Sequence, residues 1–326
     1  MAEKGARKGT EKGTSGKREP VTVGGVFAAL ATPRRPNSIE ADTGALLDYL
    51  DAVAVPGING LVLFGSTGEF VHFELEERMR ATGLAIKRSR VPVLVNASHS
   101  TLAGAILLGQ HAKGAGAAGV LLTPPYFYRY SEDQICEFYL QFVDAMEAGT
   151  GVYLYNLPTY INPISAALAG RLFGTGAFAG IKDSSGDWNL FDSLLNLPER
   201  VSFRLLAGNE SIYLRTRSAG ADGIVSGIAA ALPELMVALD HAIFARDDAR
   251  TQALNGKLAE FLSYVERFPS TTAIRQAAVV RGWKLGNSAV PLDEDTAADV
   301  IRFQGWFREW LPGTLAECGQ ITGVRT

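Results

Sequence analysis

The feature that most constrains the fold of this chain is an alternation of short apolar runs with helix-like stretches. Each run is rich in apolar and β-branched residues and ends in small or polar residues. Eight runs occur, at residues 25–33, 60–64, 91–96, 119–125 and 151–158, around Lys182, and at 203–209 and 223–227. Continuously apolar strands that alternate with helices are typical of a parallel sheet covered on both faces.

The stretches between the runs carry apolar residues at helical spacing. Helices are predicted at 41–55, 75–89, 101–114 and 131–148, with Ser131 as a candidate N-cap of the last one. Eight such units in about 220 residues fit a (β/α)₈ TIM barrel better than an open sheet. An open doubly wound sheet is the alternative, but no Gly-x-Gly-x-x-Gly fingerprint follows the first run.

The β pattern stops after the eighth run, and helices are predicted at 233–246, 248–267, 271–282 and 295–310. We therefore predict a catalytic barrel over residues 21–246 and a C-terminal helical segment over residues 247–326. Residues 1–20 are polar and have no large apolar residue after Met1, so they are predicted to form a disordered tail.

Composition excludes several classes of function. The 326 residues carry a formal net charge of −3, which leaves no basic footprint for nucleic acid. Two cysteines cannot build a disulfide framework. No apolar run reaches the roughly 18 residues that span a bilayer, and the N-terminus lacks the apolar core of a secretory signal. A cytoplasmic protein without a nucleic-acid or membrane partner is expected.

Lys182 ends the sixth run, where apolar residues precede it. Burial disfavours the charged ammonium form of a lysine, and the neutral amine is the form that attacks a carbonyl carbon. Many lysines at strand ends instead reach solvent or pair with a carboxylate, and Asp183 is the next residue. A nucleophile and an ion-paired or solvated lysine both fit this fragment.

Polar side chains end several of the other runs, and in this type of barrel the chemistry lies at the C-terminal strand ends. They are Ser66, Thr67, Tyr126, Tyr128 and Tyr155. The glycine-bounded turn at Ser66 and Thr67 suits a carboxylate or phosphate, and an ordinary helix N-cap is an equal interpretation. The tyrosines fit packing or interface roles as well as proton transfer.

Together these residues indicate one class of reaction. An amine nucleophile, hydroxyl proton carriers and an anion-binding turn fit Schiff-base chemistry on a 2-keto acid. The four histidines show no metal-ligand spacing, so neither a metal nor another cofactor is expected.

At these positions the sequence resembles the dihydrodipicolinate synthase / N-acetylneuraminate lyase family, over residues 21–311. The matching motifs are Gly65-Ser66-Thr67-Gly68-Glu69, Tyr155-Asn156-Leu157-Pro158 and Gly180-Ile181-Lys182. The resemblance implies a (β/α)₈ barrel with a helical C-terminal segment, assembled as a homotetramer or dimer. It also implies that pyruvate and an aldehyde are the small-molecule partners.

The resemblance assigns roles to the matching residues. Lys182 corresponds to the lysine that forms an imine with pyruvate, and Tyr155 to the tyrosine that moves protons at the reacting carbon. Ser66 corresponds to the hydroxyl that links the proton relay, and Thr67 to the neighbour that helps to hold the pyruvate carboxylate.

Further candidate positions follow from the same resemblance. Tyr126 corresponds to a tyrosine that crosses a dimer interface and completes the relay, with Tyr128 as a competitor because the loop is one residue longer here. Val225 and Ser226 fall where the eighth strand lines the pyruvate pocket.

Two departures bear on the substrate. The lysine-biosynthetic synthases carry an arginine at the position of Tyr160, and a phenol cannot replace its bidentate contact with a carboxylate. Arg129 could approach from another loop. Sialic-acid lyases end their seventh strand in Gly-x-Asp-Glu, whereas this chain has Gly208-Asn209-Glu210-Ser211.

The loop at residues 124–131 and the motif at residues 155–159 look more like those of 2-keto-3-deoxy sugar acid aldolases. The hydroxyl and amide groups of Thr159, Ser184 and Asn209 suit a polyol tail. We therefore predict a Schiff-base lyase that acts on a 2-keto acid, with a 2-keto-3-deoxy sugar acid as one candidate. The alternatives are a 4-hydroxy-tetrahydrodipicolinate synthase, a 2-keto-3-deoxy acid dehydratase and a non-catalytic 2-keto acid binding protein. A metal-dependent aldolase would need a His/Glu/Asp cluster that the sequence does not offer.

Overall fold

The computed structural model describes residues 23–147, 149–269 and 271–319. Its eight strands form a closed parallel barrel in chain order, so the predicted TIM barrel is confirmed. The strands are β1 Gly25–Ala29, β2 Gly60–Leu63, β3 Val93–Asn96, β4 Gly119–Leu122, β5 Gly151–Asn156, β6 Gly180–Asp183, β7 Arg204–Ala207 and β8 Gly223–Ser226. The predicted tail at residues 1–20 lies outside the described residues.

Helices follow each strand, and further helices complete the C-terminal segment. They are α1 Thr43–Val53, α2 Leu75–Arg88, α3 Leu102–Ala115, α4 Glu132–Met146, α5 Ala166–Phe173, α6 Trp188–Leu195, α7 Tyr213–Ser218, α8 Pro233–Ala245, α9 Asp248–Val265, α10 Thr272–Val280 and α11 Glu294–Gly319. The Ser131 side chain accepts a hydrogen bond from the Gln134 N–H, so it is the N-cap that was predicted. No helix in the described part of the chain is long and apolar enough to cross a membrane.

The last helix, α11, extends well beyond the predicted residues 295–310 and continues through Pro312. A proline inside a helix removes one backbone hydrogen bond and bends the axis. Packing offsets that cost, because the rings of Phe303 and Phe307 lie 6.1 and 5.7 Å from the ring of Phe261 on α9. The buried Thr314 and Cys318 continue the same face.

The floor of the barrel is filled by two aromatic side chains, Phe27 and Tyr153, which point inward from β1 and β5. Glycines at the start of other strands make room for them. A Cβ at Gly60 would lie 2.2 Å from the Phe27 ring, and one at Gly180 would lie 2.8 Å from the Tyr153 ring. The interior below the site is therefore closed by side chains, as is usual for this fold.

Candidate active site

Lys182 lies on β6 with only 4% of its surface exposed. Strand pairing sets Lys182 directly opposite Tyr155 of β5, and both side chains point into the barrel. The Lys182 Nζ atom lies 4.1 Å from the centre of the Tyr155 ring. Among the described residues, no carboxylate forms an ion pair with Lys182. The sixth strand thus delivers an amine beside a phenol, without a compensating anion.

Asp183, the neighbour that could have neutralised the lysine, faces the opposite side of the sheet because side chains alternate along a strand. Its carboxylate accepts hydrogen bonds from Asn156 Nδ2 at 2.7 Å and Ser185 Oγ at 2.7 Å. Burial raises the pKa of Asp183 above its ordinary value, and the bonds from Ser185 and Asn156 oppose that shift. The ion-pair interpretation of Lys182 is therefore wrong.

A cavity of about 220 Å³ surrounds Lys182 at the C-terminal strand ends. The predicted residues that line it are Ser66, Thr67, Tyr155, Thr159, Lys182, Ser184 and Val225. Gly208 makes this arrangement possible, since a Cβ there would lie 2.1 Å from Ser184 Oγ and 2.9 Å from Lys182 Cε. Tyr160 also lines the cavity, and no arginine is among the described lining residues.

The turn that carries Ser66 and Thr67 is held from several sides. Its flanking residues Phe64 and Glu69 have left-handed φ angles of 55° and 53°. Such a conformation costs a non-glycine residue on the order of 1–3 kcal/mol and persists only where the surroundings impose it. Here Thr32 Oγ1 donates to the Gly68 carbonyl at 2.8 Å.

A buried ion cluster holds Glu69 at the end of this turn. The Glu69 carboxylate accepts from Arg34 at 2.6 Å and from Arg275 of α10 at 3.2 Å, and both guanidinium groups are almost fully buried. Arg275 also donates to the carbonyls of Thr32 and Leu285. The C-terminal segment therefore fixes the turn that supplies the two hydroxyls.

Tyr126 borders a second cavity, of about 260 Å³, that shares Ser66, Leu157 and Tyr160 with the first one. Its ring packs edge-on against Phe70 at 6.1 Å. Burial raises the pKa of Tyr126, and the nearby Arg78 opposes the shift. No hydrogen bond among the described residues joins Tyr126, Ser66 and Tyr155.

Besides Tyr126, four residues considered from the sequence lie outside the Lys182 cavity. Ser226 is fully buried and donates to Glu210 at 2.6 Å, while Asn209 accepts from the backbone and hydroxyl of Ser211. Tyr128 is 65% exposed, and Arg129 donates to the Ile161 carbonyl at 3.5 Å.

Several lining residues were not predicted. Glu210 enters from the end of β7 and Gly227 from the end of β8, while Thr271 and Ile274 enter from the C-terminal segment. Glu210 follows the seventh run, at residues 203–209, so its position was available as a signal. Thr271 and Ile274 carried no such signal, because only the folded chain brings α10 against the strand ends.

The described residues include no cluster of three or more His, Cys, Asp or Glu side chains that could hold a metal ion. What the strand ends do bring together is an amine, a phenol and several hydroxyl groups. These groups suit nucleophilic attack on a carbonyl carbon with proton transfer.

A closed (β/α)₈ barrel with a buried lysine at a C-terminal strand end fits the class I, Schiff-base-forming lyases. The particular family follows from the sequence match. The family model for the dihydrodipicolinate synthetase family matches residues 22–300, so the chain belongs to that family. It is accordingly a lyase of the pyruvate-dependent aldolase group.

Individual relatives are distant but span nearly the whole chain. The 4-hydroxy-tetrahydrodipicolinate synthase of Desulfotalea psychrophila is 28% identical over 285 residues, covering 85% of this chain and 94% of that protein. The enzyme of the same name from Methanoculleus marisnigri is 27% identical over 274 residues, covering 83% and 93%. Among solved structures, YagE from Escherichia coli K12, crystallised with pyruvate, superposes with a TM-score of 0.81 at 25% identity, covering 88% of this chain and 98% of YagE.

Proposed function

We propose that this protein is a pyruvate-dependent aldolase whose second substrate is an uncharged polyhydroxy aldehyde. Its larger substrate is then a 2-keto-3-deoxy sugar acid. The observation that carries the proposal is the cavity of Lys182, in which a buried amine without an ion-pair partner faces hydroxyl groups and no arginine in the described lining.

The reaction begins when the neutral amine of Lys182 attacks the keto carbon of pyruvate. Loss of water leaves a protonated imine that draws electrons from the neighbouring carbon. Ser66 and Thr67 hold the pyruvate carboxylate, and Val225 forms the wall behind it. Among the described residues, no protein group forms a hydrogen bond with the hydroxyl of Ser66 or Thr67, so both hydroxyls are free to bind the substrate.

Tyr155 moves the proton that accompanies formation or cleavage of the carbon–carbon bond. The centre of the Tyr155 ring lies 4.1 Å from Lys182 Nζ, which supports this role by placing the phenol side chain beside the amine that carries the reacting carbon. Tyr126 and Ser66 line the adjoining cavity and extend the path for that proton. The competing Tyr128 is turned to solvent.

The hydroxyl groups of Thr159 and Ser184 favour a neutral polyol as the aldehyde half. A hydroxyl-lined wall satisfies hydroxyl groups, while a carboxylate needs a cation to offset its desolvation. The Asn209 side chain instead accepts a hydrogen bond from the Ser211 N–H, so it contributes to the site by shaping the chain after β7.

A second candidate is 4-hydroxy-tetrahydrodipicolinate synthase, which the names of the curated relatives favour. Tyr160 at the wall of the cavity argues against it. Aspartate semialdehyde carries a carboxylate, and a phenol cannot replace the bidentate contact of an arginine with that group. We expect poor turnover of that aldehyde with pyruvate. Efficient condensation of the two would make the synthase the correct assignment.

The direct test is to trap the imine. Incubation with pyruvate and borohydride is expected to add one pyruvate-derived group, mapped by mass spectrometry to Lys182. The variants Lys182→Ala and Lys182→Arg should give no adduct. No adduct in the wild type, or an adduct at another lysine, would overturn the proposed chemistry and leave a 2-keto acid binding protein.

We also propose that the chain works as a homo-oligomer, either tetramer or dimer. Aromatic side chains stand exposed beside the site, with Phe127 at 89% and Tyr160 at 67% exposure. Light scattering coupled to size exclusion should give a mass above the 34.9 kDa of one chain. A monomer at micromolar concentration would rule the proposal out.

A further inference from the structure

The first turn of α10 forms one wall of the Lys182 cavity, although α10 belongs to the C-terminal segment. Thr271 and Ile274 both line the cavity. A Cβ at Gly227 of the barrel would lie 3.2 Å from Ile274 Cδ1, so helix and barrel are in close contact.

The position of this wall is fixed. Arg275, one residue after Ile274, is buried and bonds to Glu69, and it also donates to the carbonyls of Thr32, Leu285 and Asn287. The side chains of the first turn are therefore held against the cavity rather than free to turn toward solvent.

The hydroxyl of Thr271 has no partner among the residues that the structure describes. The residue is 6% exposed, and its Oγ1 atom makes no hydrogen bond in the described chain. Thr271 occupies the N-cap position, where a threonine side chain normally accepts from the helix, yet it forms no such bond. The adjacent Thr272 hydroxyl, by contrast, donates to the Pro269 carbonyl at 2.9 Å.

A buried hydroxyl without a partner destabilises a fold, so such groups are usually satisfied. At the wall of a ligand cavity, a hydroxyl of the ligand can supply the missing bond. A site built to bond a hydroxyl also rejects analogues that lack it, because its own group then stays unpaired.

We propose that Thr271 is a specificity-determining residue that hydrogen-bonds a hydroxyl group on the aldehyde half of the substrate. This inference rests on the proposed function and adds a third hydroxyl contact to those of Thr159 and Ser184. It makes the C-terminal segment part of the substrate site.

The test compares two aldehydes with the same carbon skeleton, glyceraldehyde and propanal, each condensed with pyruvate. Thr271→Val keeps the shape of the side chain and removes its hydroxyl. The loss of one hydrogen bond predicts that kcat/KM for glyceraldehyde falls about tenfold while the value for propanal is unchanged. Thr271→Ser should restore the preference.

Thr314→Val is the matched control, because Thr314 is also buried with an unpartnered hydroxyl but lies on α11. Both valine variants should raise the melting temperature of the free protein by roughly 1–3 °C, since each removes an unsatisfied group. Only Thr271→Val should change the preference between the aldehydes.

The outcomes separate this inference from the proposed function. If the borohydride adduct forms in Thr271→Val and the ratio of the two kcat/KM values equals that of the wild type, Thr271 is not a specificity residue. A drop in the melting temperature of the free Thr271→Val protein would also overturn the inference. If the wild type forms no adduct, the proposed function fails, and this inference fails with it.

Discussion

Lys182 and Tyr155 are paired across β5 and β6, and this pairing sets the amine 4.1 Å from the centre of the phenol ring. In the proposed mechanism, the phenol adds proton transfer to a position that already supplies the nucleophile. Removing the Tyr155 hydroxyl should therefore separate the two functions, because the amine remains in place.

We expect Tyr155→Phe to keep the pyruvate adduct on Lys182 and to lower kcat by about 10²- to 10⁴-fold. Steady-state turnover and borohydride trapping of the same preparation measure both quantities. Tyr153→Phe is the control, since Tyr153 points inward from the same strand one layer below. Equal losses in the two variants would show a general effect on packing.

Gly208 is required by space rather than by backbone conformation. Gly208→Ala places a Cβ within 2.1 Å of Ser184 Oγ and 2.9 Å of Lys182 Cε, so it should displace the lysine and sharply reduce adduct formation. Gly256→Ala on α9 is the control, because its Cβ would meet no atom within 4 Å. We expect Gly256→Ala to stabilise the protein by up to about 1 kcal/mol and to leave activity unchanged.

Asp183 gives the fold a pH dependence whose sign can be worked out. Its pKa is raised in the folded state above the ordinary 3.8, so the fold favours the protonated carboxyl group. The contribution of Asp183 to stability is therefore fully present below the ordinary pKa of 3.8, and it is lost as pH rises through the higher pKa of the folded state.

Asp183→Asn should remove this part of the pH dependence. Melting temperatures measured between about pH 4 and pH 7 should fall less steeply in the variant than in the wild type. A wild-type curve that runs parallel to that of the variant would contradict the shift.

At the scale of the elements, the turn between β2 and α2 depends on partners from three parts of the chain. Arg34 follows β1, Glu69 ends the turn, and Arg275 belongs to α10. Two guanidinium groups share one carboxylate, so loss of that carboxylate leaves two buried cations unpaired.

We expect Glu69→Gln to lower the free energy of unfolding by about 3–5 kcal/mol, the usual cost of breaking a buried ion pair. Glu40→Gln is the matched control, because the Arg35–Glu40 pair is more than half exposed and should contribute about 0–1 kcal/mol. Chemical denaturation of both variants checks the difference. A loss below 1 kcal/mol for Glu69→Gln would mean that the cluster does not hold the turn.

These elements also mark the limit of sequence-based prediction. Strand patterning was sufficient to predict the barrel and to bring Lys182, Tyr155 and the Ser66–Thr67 turn to one end, because parallel strands share a direction. It could not supply Thr271 or Arg275, since their contacts depend on how a helix distant in the sequence packs onto the barrel. The helical pattern also ended α11 too early. Pro312 argues against a longer helix in the sequence, and the aromatic packing that stabilises the longer helix is visible only in the fold.

The orientation of the Asp183 side chain shows the same limit of sequence-based prediction at a single residue. Adjacency in the sequence suggested an ion pair with Lys182, whereas alternation along β6 separates the two side chains. The family's motifs predicted that four candidate residues are neighbours in space. The structure agrees, because one cavity is lined by Ser66, Thr67, Tyr155 and Lys182. Their catalytic roles stay predictions until the variants are measured.

At the scale of the whole molecule, the aromatic floor of the barrel has a consequence for the order of events. Phe27 and Tyr153 close the interior beneath Lys182, while Thr159 and Tyr160 lie at the exposed side of the same cavity. Under the proposed function, pyruvate must therefore travel past the place that the aldehyde later occupies. In condensation we expect pyruvate to bind before the aldehyde, and in cleavage we expect it to leave after the aldehyde. Initial-rate and product-inhibition patterns should show obligatory ordered addition, and random addition would contradict this reading of the closed floor.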